Sequence, residues 1–89
     1  MRINHNFVLR QLGDNIYCIE TIDKGMAFNR IVTFNSTAAY LWNSLYDREF
    51  FVEDVVESII LEYGVEKHIA KQDALDLIEK WKAAGLIIQ

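Results

Sequence analysis

Apolar and polar positions alternate with a period of two over the first third of the chain, then with a period of about 3.6 over the rest. Phe7–Leu12 (FVLRQL) is a short apolar-rich run that ends at Gly13-Asp14-Asn15. Gly, Asp and Asn tolerate φ > 0 or bond their own backbone, so this triplet predicts a turn. Ile16–Ile22 (IYCIETI) follows at once, with Ile16, Cys18, Glu20 and Ile22 on one side and Tyr17, Ile19 and Thr21 on the other. The two runs read as a hairpin. Asp23-Lys24-Gly25 breaks the second run, and Arg30–Phe34 (RIVTF) is a third β-branched segment. Three antiparallel strands are predicted.

Asn35-Ser36 supplies an N-cap, because a side-chain oxygen there accepts an otherwise orphaned backbone N–H. Ala38, Leu41, Trp42 and Leu45 form the apolar stripe of a helix that ends near Tyr46-Asp47. Val52, Val55, Val56, Ile59, Ile60 and Tyr63 form the stripe of a second helix, with Gly64 as its stop. A third helix is predicted from Glu66 to Ala84, closed by Gly85, and Leu86-Ile87-Ile88 has the character of a short final strand. The fold class is α+β. It is a winged-helix-like arrangement of a three-stranded antiparallel sheet followed by three helices, all in one domain over 1–89.

The chain has 89 residues, 52% of them hydrophobic and 12% aromatic, which suffices for one core and excludes a large multi-step enzyme. Its stability is expected to be on the order of 5–8 kcal/mol. The net charge of −4 is uneven: residues 1–34 carry +1 and residues 35–89 carry −5. A phosphate-binding surface needs the opposite sign, so nucleic acid is not an expected partner. No apolar run approaches the ~18 residues of a membrane span, and residues 1–5 have no signal-peptide core. A cytoplasmic protein without a membrane partner is expected. The single cysteine, Cys18, has no internal disulfide partner, in keeping with a reducing compartment.

Catalytic chemistry is sparse. His5 and His68 have no Cys, Asp or Glu at metal-ligand spacing, so both read as surface histidines and no metal is expected. Cys18 alternates in phase with Ile16 and Ile22 and reads as a small buried hydrophobe rather than a reactive thiol. The four glycines are dispersed at turns and caps and form no phosphate loop. No catalytic residue and no cofactor are assigned.

On a helical wheel at about 100° per residue, Ala70, Ala74, Leu77, Trp81 and Ala84 share one arc of the third helix, which is the expected core stripe. Lys71, Leu75, Ile78 and Lys82 share a second arc. Leu75 either widens the core stripe or floors a shallow groove with lysine rims. The segment Arg30, Ile31, Val32, Thr33, Phe34 has one charge at its start and makes a poorly protected sheet edge. Either it accepts a partner strand, or the native sheet is longer and Leu86-Ile87-Ile88 pairs with one of its strands.

These features occur in an order that resembles the PqqD-like proteins, also called RiPP recognition elements. The resemblance is carried by Phe7-Val8-Leu9-Arg10, Phe28-Asn29, Phe34-Asn35-Ser36-Thr37-Ala38-Ala39, Leu41-Trp42, Val55-Val56, Ile59 and Tyr63. Ala70, Asp73, Leu77-Ile78 and Ala84-Gly85-Leu86-Ile87 complete it. One departure stands out: Phe50-Phe51-Val52 replaces the Thr cap and acidic residues with which the family usually enters its second helix. An exposed apolar patch is expected there.

The resemblance implies a non-catalytic peptide chaperone. Such a protein binds the leader segment of a ribosomally made precursor peptide and presents it to a maturation enzyme, often of radical S-adenosylmethionine type. The leader is expected to add as a strand beside Arg30–Phe34, with Lys71, Leu75, Ile78 and Lys82 closing the groove. An affinity on the order of 0.1–10 µM is reasonable for a short segment that orders on binding. The alternatives are a winged-helix DNA-binding regulator and a structural subunit of a larger complex. The regulator requires a basic recognition helix, but Glu66, Asp73, Asp76 and Glu79 balance Lys67, Lys71, Lys80 and Lys82. Gel shifts at ~150 mM salt should therefore detect no binding to duplex DNA at micromolar protein, and a sub-micromolar shift would restore the regulator.

Overall fold

The computed structural model describes residues 1–21 and 30–88. Three predicted features lie outside the described residues: the strand end at Ile22, the Asp23-Lys24-Gly25 break and Phe28-Asn29. The strands are β1 (Arg2–Ile3), β2 (Phe7–Leu12), β3 (Asn15–Glu20), β4 (Ile31–Phe34) and β5 (Ile87–Ile88). The helices are α1 (Ser36–Leu45), α2 (Val52–Tyr63) and α3 (Lys67–Ala83). The three-stranded antiparallel sheet has the order β2-β3-β4 and is followed by the three helices, as the sequence patterning implies.

Leu12 pairs with Asn15, which leaves a two-residue turn with Gly13 at φ 62°. That is tighter than the three-residue loop expected, and only glycine takes this conformation at little cost. The pairing places Phe7, Leu9, Ile16, Cys18, Glu20, Val32 and Phe34 on the face toward the helices. Asn35 caps α1 by accepting the Ala38 N–H at 2.8 Å. At the entry to α2, where Phe51 stands in place of the family's Thr cap, the Asp54 carboxylate accepts the Phe51 N–H at 2.7 Å and also pairs with Arg48 at 3.1 Å. Only half of the expected exposed patch exists there, because Phe50 is fully buried and Phe51 is exposed. Gly64 ends α2 at φ 64°, donating its N–H to Ile60.

The N-terminal segment is not a tail. Arg2 pairs with Ile88 and Ile3 with Ile87, so the final strand finds its partner in β1 and not in the three-stranded sheet. Two residues are too short to show a period, and this is why β1 is invisible in the sequence. Asn4 secures the junction by donating its backbone N–H to Leu86 O at 2.8 Å and its side-chain amide to Gly85 O at 3.0 Å. His5 stacks on Tyr46, with ring centroids 4.1 Å apart.

The core stripe of α3 consists of Ala70, Ala74, Ile78 and Trp81, all buried. This corrects the expected arc at Leu77, Ile78 and Ala84, the last of which is the half-buried C-cap residue. Ile78 is 5% exposed and belongs to the core, while Leu77 sits half-buried on the flank of the stripe. Both lie close to the stripe on a wheel, and the packing of α2 against α3 decides which is covered. Ile78→Ala is expected to cost about 2–4 kcal/mol through the cavity it leaves. Leu75→Ala, at a position 42% exposed, should cost well under about 1 kcal/mol. Chemical denaturation of the two variants checks this, and equal losses would contradict the assignment.

Candidate functional site

β4 occupies one edge of the three-stranded sheet, and among the described residues no strand pairs with its outer side. The polarity of that edge follows from the ladder. Glu20 donates its N–H to Arg30 O at 2.8 Å, and the register continues as Cys18↔Val32 and Ile16↔Phe34. Antiparallel pairing alternates, so Val32 and Phe34 direct their N–H and C=O groups at β3, and Ile31 and Thr33 direct theirs outward. An incoming strand therefore meets two donors and two acceptors, at Ile31 and Thr33.

Beside this edge runs a groove of about 630 Å³. Val32, Thr33 and Phe34 form one wall, and Asp73, Asp76, Leu77 and Lys80 of α3 form the other. Leu41, Ile59, Tyr63 and Trp81 close its floor and end. The floor is rigid because Phe34 stacks on Trp81 at 5.4 Å and 5°, and Trp42 meets both rings edge-on at 5.7 and 5.6 Å. Stacked and edge-to-face aromatic pairs add to simple burial, so the floor is preorganised.

Arg30, at the start of β4, is engaged within the protein. Its guanidinium lies 3.5 Å from the buried Glu20 carboxylate, donates to Ala84 O at 3.1 Å and rests over the Phe7 ring at 5.7 Å. The Glu20 carboxylate also accepts the Arg30 backbone N–H at 3.2 Å. The guanidinium lies against Gly85, which has φ 83°, and would have to move aside for a Cβ there. Arg30 thus ties the entry of β4 to the exit of α3.

The expected site residues divide into two groups. Ile31, Val32, Thr33 and Phe34 lie together at the open edge, and Val32, Thr33 and Phe34 line the groove. The four expected from α3 do not face it. Leu75, Ile78 and Lys82 line a different recess with Met1 and Val52, on the opposite flank of the helix. Lys71 is exposed and lines neither hollow. The physical reason is one of handedness. The wheel locates a stripe and its two flanks, but tertiary packing alone decides which flank meets β4. Leu75, apolar and exposed, lies on the flank turned away from β4. Asp73, Asp76 and Lys80 looked like an ordinary solvated face, and the only sequence signal for them was their position beside Leu77.

Among the described residues no three His, Cys, Asp or Glu side chains converge as a metal site, and no helix is long and apolar enough to cross a membrane. Cys18 is fully buried beside the groove wall, in register with Val32, and burial pushes its thiol up to about 12. At pH 8 the thiol is therefore protonated as well as shielded, and thiols react as thiolates. Iodoacetamide at pH 8 should leave the folded protein unmodified and label it fully in denaturant; rapid labelling of the folded protein would contradict the burial.

No curated protein sequence matches this chain. Among solved structures, TbiB1 in complex with the TbiA(beta) leader peptide has the same fold, with a TM-score of 0.72 at 17% identity. The match covers 97% of this chain and 93% of that one. The family model described as coenzyme PQQ synthesis protein D (PqqD) matches residues 17–87, which include the whole groove, and the chain accordingly belongs to the PqqD family.

Proposed function

We propose that the protein is a non-catalytic peptide-binding module that captures the leader segment of a ribosomally made precursor by strand addition on β4. The observation that carries this reading is the outer edge of β4, which no strand among the described residues covers, running beside a largely apolar groove walled by α3. Main-chain bonds from Ile31 and Thr33 provide affinity that tolerates sequence change, and alternate leader side chains entering the groove provide selectivity. The fold shared with TbiB1, a protein solved with a leader peptide, supports the same reading. On this account the peptide-contacting residues are Ile31, Val32, Thr33 and Phe34 on the strand and Leu77 with its polar neighbours on α3. Presentation to a maturation enzyme of radical S-adenosylmethionine type, in the cytoplasm, completes the proposed role.

The test is titration with synthetic leader segments of candidate short precursor peptides. The amides of Ile31 and Thr33 should gain exchange protection on binding, whereas Val32, already bonded to β3, should change little. Thr33→Pro deletes an outward donor at an edge position that a fold tolerates. It should weaken binding roughly tenfold, the loss of one well-made hydrogen bond plus steric obstruction, while circular dichroism remains unchanged. Leu77→Glu should weaken binding to a similar extent, and Leu75→Glu should leave it within about twofold. Protection confined to α1 or α2, or loss of binding with Leu75→Glu alone, would refute strand addition at β4.

A further inference from the structure

The polar residues of the groove are unevenly matched. Its α3 wall presents two carboxylates, Asp73 and Asp76, and one ammonium group, Lys80, while the β4 wall presents no charge. The carboxylates are not equivalent. Asp76 accepts a hydrogen bond from the Gln72 side-chain amide at 3.2 Å, and Lys80 stands one helical turn beyond it at the favourable i, i+4 spacing. Asp73 has Leu77 at that spacing and no hydrogen bond or ion pair among the described residues. It lines the groove together with Asp76, and the only cationic side chain in the lining is Lys80. The lysines expected to rim this groove, Lys71 and Lys82, lie outside it.

We infer that Asp73 selects a basic residue in the bound peptide: the occupant of the groove is an extended peptide with a Lys or Arg side chain directed at α3, beside an apolar residue seated over Phe34 and Leu77. The inference rests on the proposed peptide-binding function and adds the chemistry of the ligand. Alternate residues of an added strand face α3, so the basic and apolar positions are separated by two or four residues. A guanidinium or ammonium group brought to Asp73 gains an ion-pair partner at a rim where the carboxylate has none. An acidic residue at the same position meets like charge, which makes the groove discriminate as well as attract.

The probe is a displayed library of random twelve-residue peptides selected against the full-length protein. Peptides retained by a Thr33→Pro variant are discarded, so that the recovered pool depends on the β4 edge. The expected pool is enriched in Lys or Arg two or four residues from a large apolar residue. Synthetic members of that pool should lose roughly three- to fivefold in affinity with Asp73→Asn, the scale of a partly exposed ion pair, and lose less with Asp76→Asn. Asp73→Lys should redirect selection to Asp or Glu at the same position. Glu79→Lys makes the same change of charge on the opposite flank of α3, facing the recess that contains Leu75, and should keep the basic preference. An edge-dependent pool without basic enrichment, or one equally altered by Glu79→Lys, overturns the role of Asp73 and leaves strand addition standing. A pool with no edge-dependent member overturns the peptide-binding reading itself.

Discussion

Three rings from three elements, Phe34 of β4, Trp42 of α1 and Trp81 of α3, meet with centroids 5.4–5.7 Å apart. All three side chains are buried. This cluster is the point at which the sheet is attached to the helices. It fixes the end of β4, and the Arg30 bridge to Glu20 and Ala84 O fixes its beginning. The four-residue strand is thus tied to α3 at both ends, through Phe34 on Trp81 and Arg30 on Ala84 O. The groove lies between the two elements, with the stacked Phe34 and Trp81 rings beneath it.

An open edge is a hazard for a small protein, since it invites pairing with any extended chain. The fold had a means of covering it, because the chain leaves α3 with a short apolar strand. That strand pairs with β1 instead, where the Asn4 bonds and the Gly85 turn direct it. The exit of α3 thus pairs with β1, and among the described residues no strand pairs with the outward N–H and C=O groups of Ile31 and Thr33. The proposed main-chain recognition of a peptide requires this arrangement, and on that proposal the aromatic floor and polar α3 rim would supply side-chain discrimination.

Most of the architecture was legible in the sequence. The turn at Gly13, the cap at Asn35 and the stop at Gly64 are local signals, and local chemistry decides them. The edge segment Ile31–Phe34 was legible as well, because its β-branched residues lack the charges that protect an edge. The α3 wall was not. Ile78 and Leu77 are adjacent in sequence and both are aliphatic, and only the packing of the finished fold makes one core and the other groove. The polar rim escaped for a related reason. A carboxylate in a groove and a carboxylate on a solvated face look alike until the opposite wall is in place.

The central claim is that Thr33 offers its main-chain N–H to an incoming strand. The most direct measurement replaces the amide between Val32 and Thr33 with an ester, by chemical ligation of the 89-residue chain, which removes that one donor and preserves every side chain. The account predicts a small fall in melting temperature, because the Val32 ester carbonyl accepts more weakly from β3, and a loss of roughly five- to tenfold in affinity for a bound leader peptide. Unchanged affinity would contradict it, since a peptide bound elsewhere, or through side chains alone, has no use for that proton.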